Sequence, residues 1–170
     1  MWQRNLIGGL VVIAGLLGCA SSNTQPDATI AGKTVPDAVA KSFHASFPNA
    51  KVEKLDVEKE NGVMVYDFEF RDGTIEKECD IAGDGTMLER TTVIVERDVP
   101  APAMDAIRKA AEGATFKRIE RVEIDYETRD GKVVKLPSQA TQYAVEMTKS
   151  GKNAEVVVTP EGKVVEPAKW

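Results

Sequence analysis

The sequence predicts an α+β fold of two tandem repeats, each a short helix packed on a four-stranded antiparallel sheet. Three observations predict it. Val35-Pro36 recurs as Val99-Pro100, and at the same offset of 64 residues Phe43 falls on Ile107, Ala50 on Ala114, Val52 on Phe116 and Leu55 on Ile119. Further along the offset becomes 77, pairing Tyr66 with Tyr143, Glu69 with Glu146, Cys79 with Val156, Ile81 with Val158, Gly85 with Gly162 and Glu89 with Glu166. Within each unit the apolar period switches from that of a helix to the two-residue period of a strand. One unit copied twice explains the first offset, and 13 residues inserted in the second copy explain the change. The insertion falls near Arg129 to Gln139, where Asp130-Gly131 and Leu136-Pro137-Ser138 carry loop chemistry.

Residues 1–18 read as a leader. Met1-Trp2-Gln3-Arg4-Asn5 gives a positive start, and Leu6 to Leu17 is an apolar or glycine run of 12 residues. A helix needs about 20 to span a bilayer core, and the run ends in small residues as a cleavage site does. Leu16-Leu17-Gly18-Cys19 resembles the lipobox of bacterial lipoproteins, although leucine is a less usual residue at position 17. That resemblance implies acylation of Cys19 and a membrane partner reached through the N-terminal lipid. Each buried methylene contributes roughly 0.8 kcal/mol, so several acyl chains anchor firmly where one does not. Ala20 after the cysteine resembles the sorting pattern for the outer membrane, which places the domain on the periplasmic side of the cell envelope. Residues 19–33, rich in Ser, Asn, Thr, Gln, Pro and Asp, read as a flexible tether.

The first repeat, 34–98, opens at Thr34, whose hydroxyl is placed to cap a helix entered through Val35-Pro36-Asp37. Val39, Phe43 and Phe47 form one apolar stripe until Pro48-Asn49 stops the helix. A strand near Val52 to Lys59 follows. Met64, Tyr66, Phe68 and Phe70 then alternate with Val65, Asp67, Glu69 and Arg71, the pattern of a half-buried antiparallel strand. After the Asp72-Gly73 turn, Ile75, Cys79 and Ile81 share one side and Glu76, Glu78 and Asp80 the other. Asp84-Gly85 turns the chain into Met87 to Val95. The second repeat, 99–170, shows a weaker stripe of Met104, Ile107 and Ala111, then Tyr143, Val145 and Met147, and Ala154, Val156 and Val158, with turns at Ser150-Gly151 and Glu161-Gly162. Joining the two sheets edge to edge into one curved surface covers two strand edges that otherwise invite aggregation.

Composition narrows the function. Without the leader the chain has 21 basic and 27 acidic residues, a charge of −6. Nucleic acid demands a basic footprint, so it is not an expected partner. His44, the single histidine, lies beside the helix stripe and reads as a solvated residue rather than a metal ligand or a member of a catalytic triad. Cys79 matches Val156 in the other repeat and reads as a buried small hydrophobe, with acidic neighbours that raise a thiol pKa. Asp80, Asp84 and Gly85 lack the ligand spacing of a calcium loop and read as a hairpin turn. No phosphate-cradling glycine loop occurs, and nothing around Glu76 and Glu78 points to the apolar pocket that carboxylate acid catalysis needs. The expectation is a chain that is not an enzyme, with no cofactor, no catalytic residue and no metal.

The Val-Pro helix start, the Phe47-Pro48-Asn49-Ala50-Lys51-Val52 exit, the Tyr66-x-Phe68-x-Phe70 strand and the Asp-Gly turns together resemble the PepSY-like family of bacterial envelope proteins. The tandem layout is similar to its branch named for beta-lactamase inhibitor proteins. The second copy departs from the pattern at Ala111-Glu112-Gly113. The resemblance implies small secreted or lipid-anchored modules that bind other proteins and sometimes restrain peptidases or related hydrolases. On that reading the candidate partner surface is the polar sheet face carrying Val65, Asp67, Glu69, Glu76, Glu78 and Asp80, suited to a basic patch on an envelope protein. A small-ligand or stress-sensing lipoprotein with an internal pocket is the rival expectation, and a purely structural envelope component is a third.

Overall fold

The computed structural model describes residues 28–170. The leader, Cys19 and the first part of the tether lie outside the described residues. The chain runs β1 (Ala28–Ile30), β2 (Lys33–Val35), α1 (Asp37–Ser46), β3 (Lys51–Glu60), β4 (Val63–Asp72), β5 (Ile75–Ala82), β6 (Met87–Val93), α2 (Ala101–Ala111), β7 (Thr115–Arg129), β8 (Lys132–Lys149), β9 (Lys152–Val158) and β10 (Val164–Glu166). A short 3₁₀ turn at Glu96–Asp98 leads into α2.

Helix and strand types follow the sequence periods, and the expected four-stranded units form one sheet in place of a pair, joined edge to edge as the sequence predicts. All eight strands β3 to β10 form one antiparallel sheet, ordered β10-β9-β8-β7-β6-β5-β4-β3. The repeats merge where β6 pairs with β7, from Glu89 opposite Ile124 to Val93 opposite Glu120. The second departure is a two-stranded hairpin, β1-β2, drawn from what reads as tether. It forms because Ile30 and Val35 have somewhere to go: both are buried in the core under α1. Thr34 belongs to this hairpin and does not cap the helix. Both helices instead start after a proline in the same extended geometry, Pro36 (φ −55°, ψ 142°) and Pro100 (φ −55°, ψ 141°), without a side-chain cap.

Each helix lies on the same side of the sheet over its own core. Under α1, Phe43 stacks on Phe68 at 4.3 Å between ring centroids and meets the edge of Phe70 at 5.1 Å, while Phe47 tilts against Phe70 at 4.5 Å. Under α2, Met104 and Ile107 pack on Tyr143, Val145, Met147, Val156 and Val158. Two alternating apolar positions escape burial: Ile75 is 47% and Met64 43% exposed, because both sit at strand ends.

The insertion is not a loop. β7 has 15 residues where β3 has 10, and β8 has 18 where β4 has 10, which accounts for all 13 inserted residues as an extended hairpin arm. Asp130-Gly131 is its turn, whereas Leu136, Pro137 and Ser138 sit in a bulge within β8, between the pairs Tyr126–Lys135 and Ile124–Ala140. The arm reaches across the face opposite the helices. Its tip meets the β3-β4 turn, where the Gly131 amide donates to the Asn61 carbonyl at 2.7 Å. β3 and β7 are four strand spacings apart, about 19 Å in a flat sheet, so this contact requires the outer face to be concave at that end.

Candidate functional site

The outer face is built by the residues that alternate away from the helices, and the register lines them up in rows. Asp56, Asp67 and Asp80 lie side by side across β3, β4 and β5, with Glu89 next in β6. Lys54, Glu69, Glu78, Thr91 and Val122 form the adjacent row. Arg71 and Glu76 face each other in a third. The expected like-charge neighbours are therefore real: Asp67 opposes Asp80 and Glu69 opposes Glu78, an arrangement that destabilises a sheet unless cations intervene.

Two cations intervene. Lys54 pairs with Glu69 and, at 2.8 Å, with Asp56, and these two carboxylates raise its pKa through hydrogen bonds and charge. Arg118, on β7, bridges the repeats: its guanidinium bonds Glu78 and Glu120 and comes within 3.6 Å of Glu76. Burial works against the charge on Arg118, but the carboxylates around it, Glu120 and Glu78 foremost, leave its pKa raised. Sequence reading missed both cations, yet the repeat held the signal. The offset of 64 places Lys54 on Arg118 and Asp56 on Glu120, so one cation-carboxylate motif occurs in both copies.

The face is less open than alternation implies. Val65 is fully buried: with Ala82 and Leu88 it packs under Tyr126 and Val133 of the arm. Sequence reading also left out the desolvation of the acids. Burial, reinforced by Glu120, pushes Glu78 up to about 7 against the pull of Arg118. Burial and then Glu69 push Asp67 up to about 6. Both groups thus hold protons in the fold that the unfolded chain has released, between 3.8 and about 6 for Asp67 and between 4.5 and about 7 for Glu78. Stability contributed by these groups falls as pH rises through those windows. Thermal unfolding midpoints should accordingly decline from pH 5 to pH 7.5, and Glu78→Gln should flatten that decline; an unchanged slope in the variant would show that Glu78 does not titrate there.

The other singled-out residues have structural roles. Cys79 is buried, and burial followed by Asp80 raises its thiol pKa. His44 is exposed, its ring edge-on to Phe43 at 5.5 Å. Asp84 accepts the Thr86 amide at 2.9 Å, which is turn chemistry. Among the described residues no group of three or more His, Cys, Asp or Glu side chains is arranged to hold a metal, and no helix is long and apolar enough to cross a membrane. Beside the Arg118 cluster lies an open depression of about 630 Å³, lined by Glu76, Val93, Val95, Phe116 and Arg118 among others.

A sequence profile described as "Putative beta-lactamase-inhibitor-like, PepSY-like" matches residues 24–76 and again 64–129. The chain belongs to the PepSY-like family. No curated protein matches it significantly. Solved structures share the fold of this PepSY-like chain at low identity. A BLIP-like protein from Bacteroides fragilis aligns with TM-score 0.53 and 17% identity over 79% of this chain and 85% of its own. A DUF2874 family protein from Bacteroides uniformis aligns with TM-score 0.57 and 16% identity over 79% and 88%. A protein from Bacteroides eggerthii, described as one of the "putative periplasmic proteins", aligns with TM-score 0.56 and 16% identity over 78% and 86%. The PepSY-like repeats are thus an established scaffold, and fold by itself does not fix what the scaffold holds.

Proposed function

We propose that this chain is a lipid-anchored module of the cell envelope that binds another protein through the concave outer face of its sheet. The observation that carries the proposal is the acid-rich rows around Lys54 and Arg118, a half-exposed surface beside the arm that ion pairs fix to rigid strands. A basic patch on a partner complements such a field, which steers encounter and excludes acidic surfaces. The inhibitor-like description of the family supports a partner that is a periplasmic hydrolase or peptidase, held in check or modulated. The leader motif ending at Cys19 supports lipidation there, with the domain carried on the periplasmic face of the outer membrane.

A second reading takes the 630 Å³ depression as a small-ligand or stress-sensing site. Its open shape and its charged rim, Glu76, Glu96, Arg97 and Arg118, suit it less well than an enclosed apolar pocket would. The test is capture of envelope proteins by the immobilised chain at low salt, with Glu58→Lys and Glu69→Lys combined in one variant. Both sites lie on the outer face. Retained partner should drop about tenfold in the variant and in wild type at high salt. Equal capture by a variant with unaltered circular dichroism rules that face out. Independently, Cys19→Ala should move the chain from the membrane to the soluble fraction.

A further inference from the structure

The arm made by the insertion is fastened at its tip, and its backbone ladder is interrupted at its base. At the tip, besides the Gly131 amide, the Asn61 side-chain amide donates to the Thr128 carbonyl and hydroxyl, both at 3.0 Å. The Gly62 and Gly131 backbones touch so closely that a Cβ on Gly62 would stand 3.0 Å from the Gly131 Cα. At the base the ladder is interrupted. One residue, Asp125, faces the four-residue bulge Leu136 to Gln139, of which Pro137, Ser138 and Gln139 are exposed. Proline has no amide hydrogen to give the ladder, so few backbone bonds tie the arm to the sheet here. The base is held instead by side chains: Asp125 pairs with Arg90 of β6 and accepts from the Gln139 amide at 3.1 Å.

What the arm covers differs from the rest of the face. Val65, Ala82 and Leu88 are an apolar floor beside the ion-paired rows, separate from the second apolar cluster of that face, Val122, Ala144 and Val157 with Ile124, and Tyr126 and Val133 of the arm lie on them. The first repeat gives its own sheet no such cover, since its equivalent hairpin is short.

We propose that residues 126–139 are a strap that opens as a unit about the Leu136–Gln139 bulge, and that opening bares Val65, Ala82 and Leu88 as an apolar floor continuous with the acid-rich face. Segments fastened by a few hydrogen bonds and a small apolar contact open below the free energy of global unfolding. The strap would make the outer face bistable: a polar surface when closed, an apolar pocket rimmed by carboxylates when open.

The experiment is hydrogen exchange of the full chain read by mass spectrometry, alongside binding of the neutral dye Nile red. In wild type, amides of the arm should exchange about 100-fold faster than those of Ile119 to Val122 and Tyr143 to Met147. Asn61→Gly keeps the turn conformation, since Asn61 already has φ 46°, and removes both side-chain bonds. It should speed arm exchange about tenfold while leaving the sheet unchanged, with a matching rise in dye binding. Oxidised Asn61→Cys/Thr128→Cys should slow arm exchange to the sheet rate. Arm and sheet exchanging at one common rate, shifted together by Asn61→Gly, would overturn the strap, and selective arm exchange without added dye binding would overturn the bared floor. No partner enters this experiment, so its failure leaves the protein-binding reading standing.

Discussion

Replacing Phe43 by alanine is expected to cost about 4 kcal/mol of stability, the range for emptying a buried aromatic site. Phe43 is fully buried and lies against three other phenylalanine rings: stacked on Phe68, edge-on to Phe70 and tilted to Phe47 at 5.7 Å. Its neighbours on rigid strands cannot collapse into the space, so transfer and cavity costs add. Ile107, the residue at the matching place in the second repeat, is equally buried but touches a less aromatic core, and Ile107→Ala should cost about 3 kcal/mol. Urea unfolding followed by far-ultraviolet circular dichroism checks both values. The two cores are separate, yet β6-β7 pairing and the Arg118 bridge join them, so each variant should still unfold in one transition. Two transitions would show that the repeats fold independently, and a loss under about 1 kcal/mol for Phe43→Ala would contradict the packing.

The repeated core was legible because it is written in two periods at once. Val39, Phe43 and Phe47 repeat at helical spacing while Tyr66, Phe68 and Phe70 alternate, and few other structures satisfy both. The β1-β2 hairpin was not legible, since three-residue strands of mixed composition carry no measurable period, and only Ile30 finding the core reveals it. The arm was misread for a related reason. Pro137 and Ser138 signal a break in regular pairing, and the chain answers with a bulge inside a strand instead of a loop. At the outer face the polarity of Asp67, Glu69, Glu76, Glu78 and Asp80 was evident, but their environment was not. Val65 looked exposed because alternation reports which way a side chain points, never what the chain later folds over it. The raised pKa values of Glu78 and Asp67 have the same origin: burial on a concave surface is a property of the assembled sheet.

Alanine at Gly85 or at Gly162 should cost about 3 kcal/mol each, near the upper end for single substitutions. The two glycines close matching turns, β5-β6 and β9-β10, and each turn is pressed against the first turn of its repeat's helix. A Cβ on Gly85 would stand 2.7 Å from the Ala38 carbonyl oxygen, and one on Gly162 would stand 2.5 Å from that of Pro102. Ala38 and Pro102 are themselves 64 residues apart, and the glycines 77, so the contact is duplicated with the repeat. Both glycines have positive φ, +88° and +85°, which adds backbone strain for any L side chain. Gly73 separates the two effects: its φ is +66°, but nothing lies within 4 Å of the place its Cβ would take, so Gly73→Ala should cost only about 1 kcal/mol. Because the obstructing atoms are helix backbone, relief requires α1 or α2 to lift from the sheet, and the loss should exceed that at Gly73 by about 2 kcal/mol in urea unfolding. Equal losses at all three positions would mean that the helices do not rest on these turns, and the register of helix on sheet would have to be redrawn.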